Sequence, residues 1–108
     1  MIKDILTEAA IPHKQGRFPS PSAETYATYF DAVRSEGADP VGVRSPRIYH
    51  HDVRVELYEP KPDAEKEAAV EAALDARGLE WVKQDAYWLQ DVQRYQTLYE
   101  FSYTSKNR

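Results

Sequence analysis

A chain of 108 residues with 18 acidic and 14 basic side chains, net charge −4 and 42% apolar residues fits one globular domain and argues against disorder. The absence of Cys excludes a disulfide scaffold, a thiol nucleophile and a thiolate metal centre. No apolar run approaches the ~18 residues of a membrane span, the charged opening residues do not make a signal peptide, and the acidic balance leaves non-specific nucleic-acid binding to a local basic patch.

The aromatic inventory is unusual: 8 Tyr, 3 Phe and 2 Trp beside a single Met. Tyrosine carries an apolar ring and a polar tip, so it suits half-buried sheet faces and interfaces. In chain order, Ile2, Ile5, Leu6 and Ala9 recur at helical spacing, which predicts a short amphipathic helix over residues 1–10, ended by Pro12. Such a helix is too short to stand alone and must dock. Residues 13–22, with Gly16, Pro19 and Pro21, predict an extended connection that Phe18 pins to the core.

Residues 25–34 are rich in β-formers and predict a strand with Ala27, Tyr29 and Val33 on one face and Tyr26, Thr28 and Phe30 on the other. Residues 35–46 hold Gly37, Pro40, Gly42 and Pro46 and predict a long inter-strand loop, mobile in the free chain and ordered on docking. Residues 48–58 alternate cleanly: Tyr49, His51, Val53, Val55 and Leu57 against His50, Asp52, Arg54, Glu56 and Tyr58, the pattern of a half-buried strand.

Asp63 is placed to cap a helix that runs to Arg77 and stops at Gly78. Its inner stripe is Ala69, Val70, Ala73, Leu74 and Ala76. Glu67, Glu71 and Asp75 recur on another side as an acidic ridge, either solvated or facing a subunit or a DNA passage. Residues 79–85 predict a third strand, and residues 87–93 are ambiguous between loop and helical turn. Residues 94–103 predict a last strand with Tyr95, Thr97, Tyr99, Phe101 and Tyr103 on one face, and residues 105–108 a polar tail. The expected fold is therefore α+β: one domain over residues 1–108, a four-stranded mostly antiparallel sheet with two helices on one face, order α-β-β-α-β-β.

No motif for chemistry stands out. Four isolated Gly cannot supply a phosphate loop, and no GxSxG elbow is present. His50-His51-Asp52 holds ligand-type residues, but neighbours on a strand point to opposite faces. His50 and Asp52 alone supply two ligands where a catalytic metal needs a third. We expect no catalytic residues, no metal and no cofactor. The sheet face left open by two short helices is the expected interaction surface; a small ligand is the other occupant such a face could take.

The segments Thr25-Tyr-Ala-Thr-Tyr-Phe-Asp31 and Val53-Arg-Val-Glu-Leu-Tyr58, the Ala/Glu helix ending Arg77-Gly-Leu-Glu-Trp81, and Tyr99-Glu-Phe-Ser-Tyr103 followed by Lys106 resemble the tail terminator (tail completion, head–tail joining) proteins of long-tailed bacteriophages and prophages. The resemblance covers residues 23–106. It implies a virion structural protein without enzymatic activity. Such proteins form a homo-hexameric ring on the head-proximal end of the tail tube, touching the tube protein and the neck or stopper protein. It implies no membrane and no tight nucleic-acid binding, because DNA passes through the lumen. The residues themselves, and not the resemblance, offer the candidate inter-subunit or partner contacts Arg44, Arg47, Tyr49, Tyr95, Tyr99 and Tyr103, and the row Tyr95, Tyr99, Phe101 and Tyr103 either packs under the two helices as core or meets a neighbouring subunit.

Overall fold

The computed structural model describes residues 1–16, 25–36 and 48–106. Helix α1 (Ile2–Glu8) buries Ile2, Ile5 and Leu6, the stripe its spacing dictates. Seven residues cannot hold a helix in water alone. Docking supplies the stability: α1 packs on helix α2 (Ala64–Ala76), and Arg77 grips Glu8 with two bonds of 2.7 and 3.0 Å. The Asp63 carboxylate accepts from the Glu65 and Lys66 N–H groups at 3.0 and 3.3 Å, satisfying the first turn of α2. At the other end Gly78 takes φ +67°. Its N–H reaches Asp75 O, and the Leu79 N–H reaches Leu74 O, the paired bonds of a Schellman motif.

Five strands form one mixed sheet: β1 (His13–Gln15), β2 (Tyr26–Glu36), β3 (Ile48–Glu59), β4 (Trp81–Leu89) and β5 (Arg94–Ser105), in spatial order β1-β2-β3-β5-β4. This corrects the expected four-stranded sheet and the order α-β-β-α-β-β. The chain runs α-β-β-β-α-β-β, and the added strand pairs parallel to β2. The physical reason lies in the main chain. His13-Lys14-Gln15 has no apolar alternation to announce a strand, and the pairing rests on backbone bonds, including Gly16 N–H to Tyr29 O and Ala27 N–H to Pro12 O at 2.8 Å each. The ambiguous stretch after residue 86 resolves into the end of β4, a turn at residues 90–93 and the start of β5. Residues 35 and 36 finish β2; the rest of the expected loop, with Arg44 and Arg47, lies outside the described residues, as does Phe18.

Both helices sit on one face. Ile5, Leu6, Ile11, Val70, Ala73 and Leu74 close on Ala27, Tyr29, Val53, Val55, Leu57, Tyr99 and Phe101. The radius of gyration is 16.1 Å, above the ~13 Å of a compact chain of this length. Strands of 11 and 12 residues reach roughly 40 Å, whereas the 13 residues of α2 reach about 20 Å. The helices therefore cover one half of the sheet's length, and β2, β3 and β5 continue beyond them as a three-stranded arm.

Candidate interaction surfaces

Strand alternation sorts the expected site residues between two faces. The row Tyr95, Tyr99 and Tyr103 lies on the helix-covered face. Tyr99 is 0% exposed and gives its hydroxyl to Glu71 Oε2 at 2.9 Å, so it is a core residue with no surface to offer. Burial first, then the neighbouring Glu71 carboxylate, drives its phenol pKa upward. Tyr95 sits at the far end of the row, edge-on to Trp88 at 5.0 Å. Tyr49 and Tyr103 fall together on the arm, two residues apart in register and both half-buried.

Glu67, Glu71 and Asp75 turn toward the sheet edge. Lys83 Nζ lies 2.9 Å from Glu67 and 3.1 Å from Glu71, and Trp81 Nε1–H donates to Asp75 at 2.8 Å. Desolvation alone would lower the Lys83 pKa, but the two carboxylates outweigh it and hold it above its usual value. Three contacts thus tie β4 to α2, and the acidic spacing on the helix is matched to donors on the adjacent strand.

His50 and His51 point to opposite faces, as alternation requires. His51 is 4% exposed. Its Nδ1 is 3.0 Å from both Asp31 carboxylate oxygens, its Nε2 is 2.9 Å from Ser105 Oγ, and its ring stacks on Tyr103 at 4.2 Å. Asp, His and Ser in this order are the residue types of an acyl-transfer triad. The surroundings differ. Ser105 ends a paired strand, opposite Tyr49, and does not sit on a sharp turn that aims a hydroxyl and adjacent N–H donors at a substrate. The relay instead staples β2, β3 and β5 together where the helices no longer cover them. Among the described residues, no group of three His, Cys, Asp or Glu side chains is placed to hold a metal ion.

No helix covers the opposite face among the described residues. Its helix-proximal end carries a polar floor: Thr28 and Tyr58 hydroxyls donate to Glu56 Oε2 at 3.1 and 2.6 Å, Gln96 Nε2 donates to Tyr58, and Tyr87 donates to Gln96. Tyr26 stacks on Tyr58 at 4.9 Å. Burial and the Glu56 bond push the Tyr58 pKa up to about 12. The turn at residues 90–93 rises beside this floor and leaves a groove of about 550 Å³ that Phe30 and Trp88 also line. Farther along, the centre of the face is charged, with Asp52, Arg54 and Glu100 exposed. The exposed Val82 and Tyr87 lie on the outer strand β4.

One buried carboxyl escaped sequence reasoning. Glu59 is 0% exposed; its Oε2 accepts the Asp63 N–H at 2.9 Å, while Oε1 and the nearby Thr97 Oγ1 are buried without partners. Burial, then the Glu67 charge, raises its pKa to about 7. The signal was available: Glu59 continues the 51, 53, 55, 57 parity of the core face by one more step. Asp31 likewise shares the parity of Ala27, Tyr29 and Val33.

No protein-family model and no curated protein matches the chain. Among solved structures it is similar to a chain of the virion of a native gene transfer agent particle, at 17% identity and TM-score 0.55, covering 91% of this chain and 81% of that one. At that identity the likeness is one of fold.

Proposed function

We propose that this protein is a structural component of a phage-like particle and acts there as a tail terminator. The observation that carries the reading is the shared fold with a gene transfer agent virion chain over 91% of the length. The sequence segments that resemble tail terminators, Thr25–Asp31, Val53–Tyr58 and Tyr99–Tyr103 among them, also support it. In this role the chain forms a six-membered ring at the head-proximal end of the tail tube. It halts tube growth and meets the neck proteins of the head. It turns over no substrate. The negative charge of each subunit, multiplied around the ring, repels DNA phosphates from the lumen wall and keeps passage free of tight binding.

Deletion of the gene from its phage or prophage tests this directly. The expected result is full heads separated from tails of uncontrolled length, with complementation restoring joined particles and mass spectrometry finding the chain in them. Normal particles lacking the chain would refute the proposal. The groove at Tyr26, Tyr58 and Trp88 favours a second reading, a small ligand-binding domain. A specific small-molecule stabiliser in a thermal-shift screen would support that alternative.

A further inference from the structure

We propose that the two edges of the sheet are the two halves of one head-to-tail contact between copies of this chain, with β4 of one copy antiparallel to β1 of the next. The inference deepens the ring reading and rests on it for closure. Among the described residues both strands are outermost in the sheet, so each turns a row of backbone donors and acceptors outward. Nearly all of β4 is exposed, with Val82 at 64% and Tyr87 at 50%.

Strand direction fits. β1 is parallel to β2, and every later neighbour in the sheet is antiparallel to the one before, so β4 runs opposite to β1. Copies placed side by side therefore continue the alternation, the better-bonded arrangement.

Height fits as well. One line of paired residues crosses the sheet from Gln84 through Leu98, Glu56 and Thr28 to Lys14. The free parts of β4 and β1 thus lie at one level along the strands. Copies related by a rotation with no rise can meet edge to edge, the condition for a closed ring and not a climbing filament.

Exposed Gln84 and exposed Lys14 end that line, both on the face of Thr28 and Glu56. The register irregularity between Gln84 and Tyr87 keeps the pairing short. That guards against runaway sheet growth and makes the single contact weak, so it gains strength from the high local concentration at a tube end.

The lack of native Cys allows a clean trap in the full chain. Chains carrying Lys14→Cys and chains carrying Gln84→Cys are oxidised singly and mixed, at rising concentration. Both sites are exposed, and circular dichroism confirms folding. Disulfide dimers are expected in the mixture and not in either variant alone, and the double variant is expected to give a ladder of linked oligomers. Monomer throughout, or dimers of equal yield in the single variants, would each overturn the contact. Particles that contain the chain but never cross-link would sink this interface alone. A ladder from a chain absent from particles would sink the virion reading alone.

Discussion

Replacing Glu59 by Gln isolates one buried charge. In the fold the Glu59 carboxyl lies beneath the start of α2, faced by Asp63, Glu67 and Lys83, and its pKa rises from 4.5 to about 7. A carboxyl whose folded pKa exceeds its unfolded value holds its proton more tightly in the fold. Its contribution to stability is therefore complete below about 4.5 and is lost as the pH climbs through about 7. The size of the shift corresponds to about 3 kcal/mol lost across that window. Gln has the same shape, still accepts the Asp63 N–H, carries no charge, and brings donors toward the buried Thr97 hydroxyl. Urea unfolding of both proteins at a series of pH values reads the difference, and subtraction removes the titration of every other group. Glu59→Gln is expected to be more stable than the parent by about 2–3 kcal/mol near pH 8 and to converge with it near pH 4. A difference that stays constant with pH, or a variant that is weaker at alkaline pH, would refute the reasoning.

Leu74 is fully buried between α2 and the sheet, so Leu74→Ala is expected to cost about 2–5 kcal/mol in urea unfolding. A Cβ at Gly78 would meet no atom within 4 Å, so Gly78→Ala should lose only the about 1 kcal/mol of its left-handed backbone, read as a small fall in Tm. His51→Ala, which empties a buried position spanning three strands, should cost about 2–4 kcal/mol, while Ser105→Ala should cost about 1 kcal/mol. A fluorophosphonate probe should leave Ser105 unlabelled; labelling abolished by His51→Ala would turn the staple into a nucleophile.

The helices and the long strands were legible because their side chains report burial directly. Ile2, Ile5 and Leu6 repeat with the helix, and His51, Val53, Val55 and Leu57 repeat with the strand, since each element hides one face. The caps Asp63 and Gly78 were legible because helix ends demand particular chemistry. Strand β1 was not, because three polar residues pairing through the main chain leave no mark on side-chain choice. The acidic spacing of Glu67, Glu71 and Asp75 was visible, but not that Lys83, Tyr99 and Trp81 would meet it, since that depends on how β4 and β5 return against α2.

Local sequence thus determined where the two helices and the long strands run and which face of each is apolar. Those are properties of a few consecutive residues and their periodicity. Only the tertiary structure decided that Tyr99 lies beneath the helices while Tyr103 stands on the arm, that Asp31, His51 and Ser105 join across three strands, and that Lys14 and Gln84 share one level on opposite edges. Each of these depends on strand order and register, which arise when remote segments compete to bury the same apolar surface.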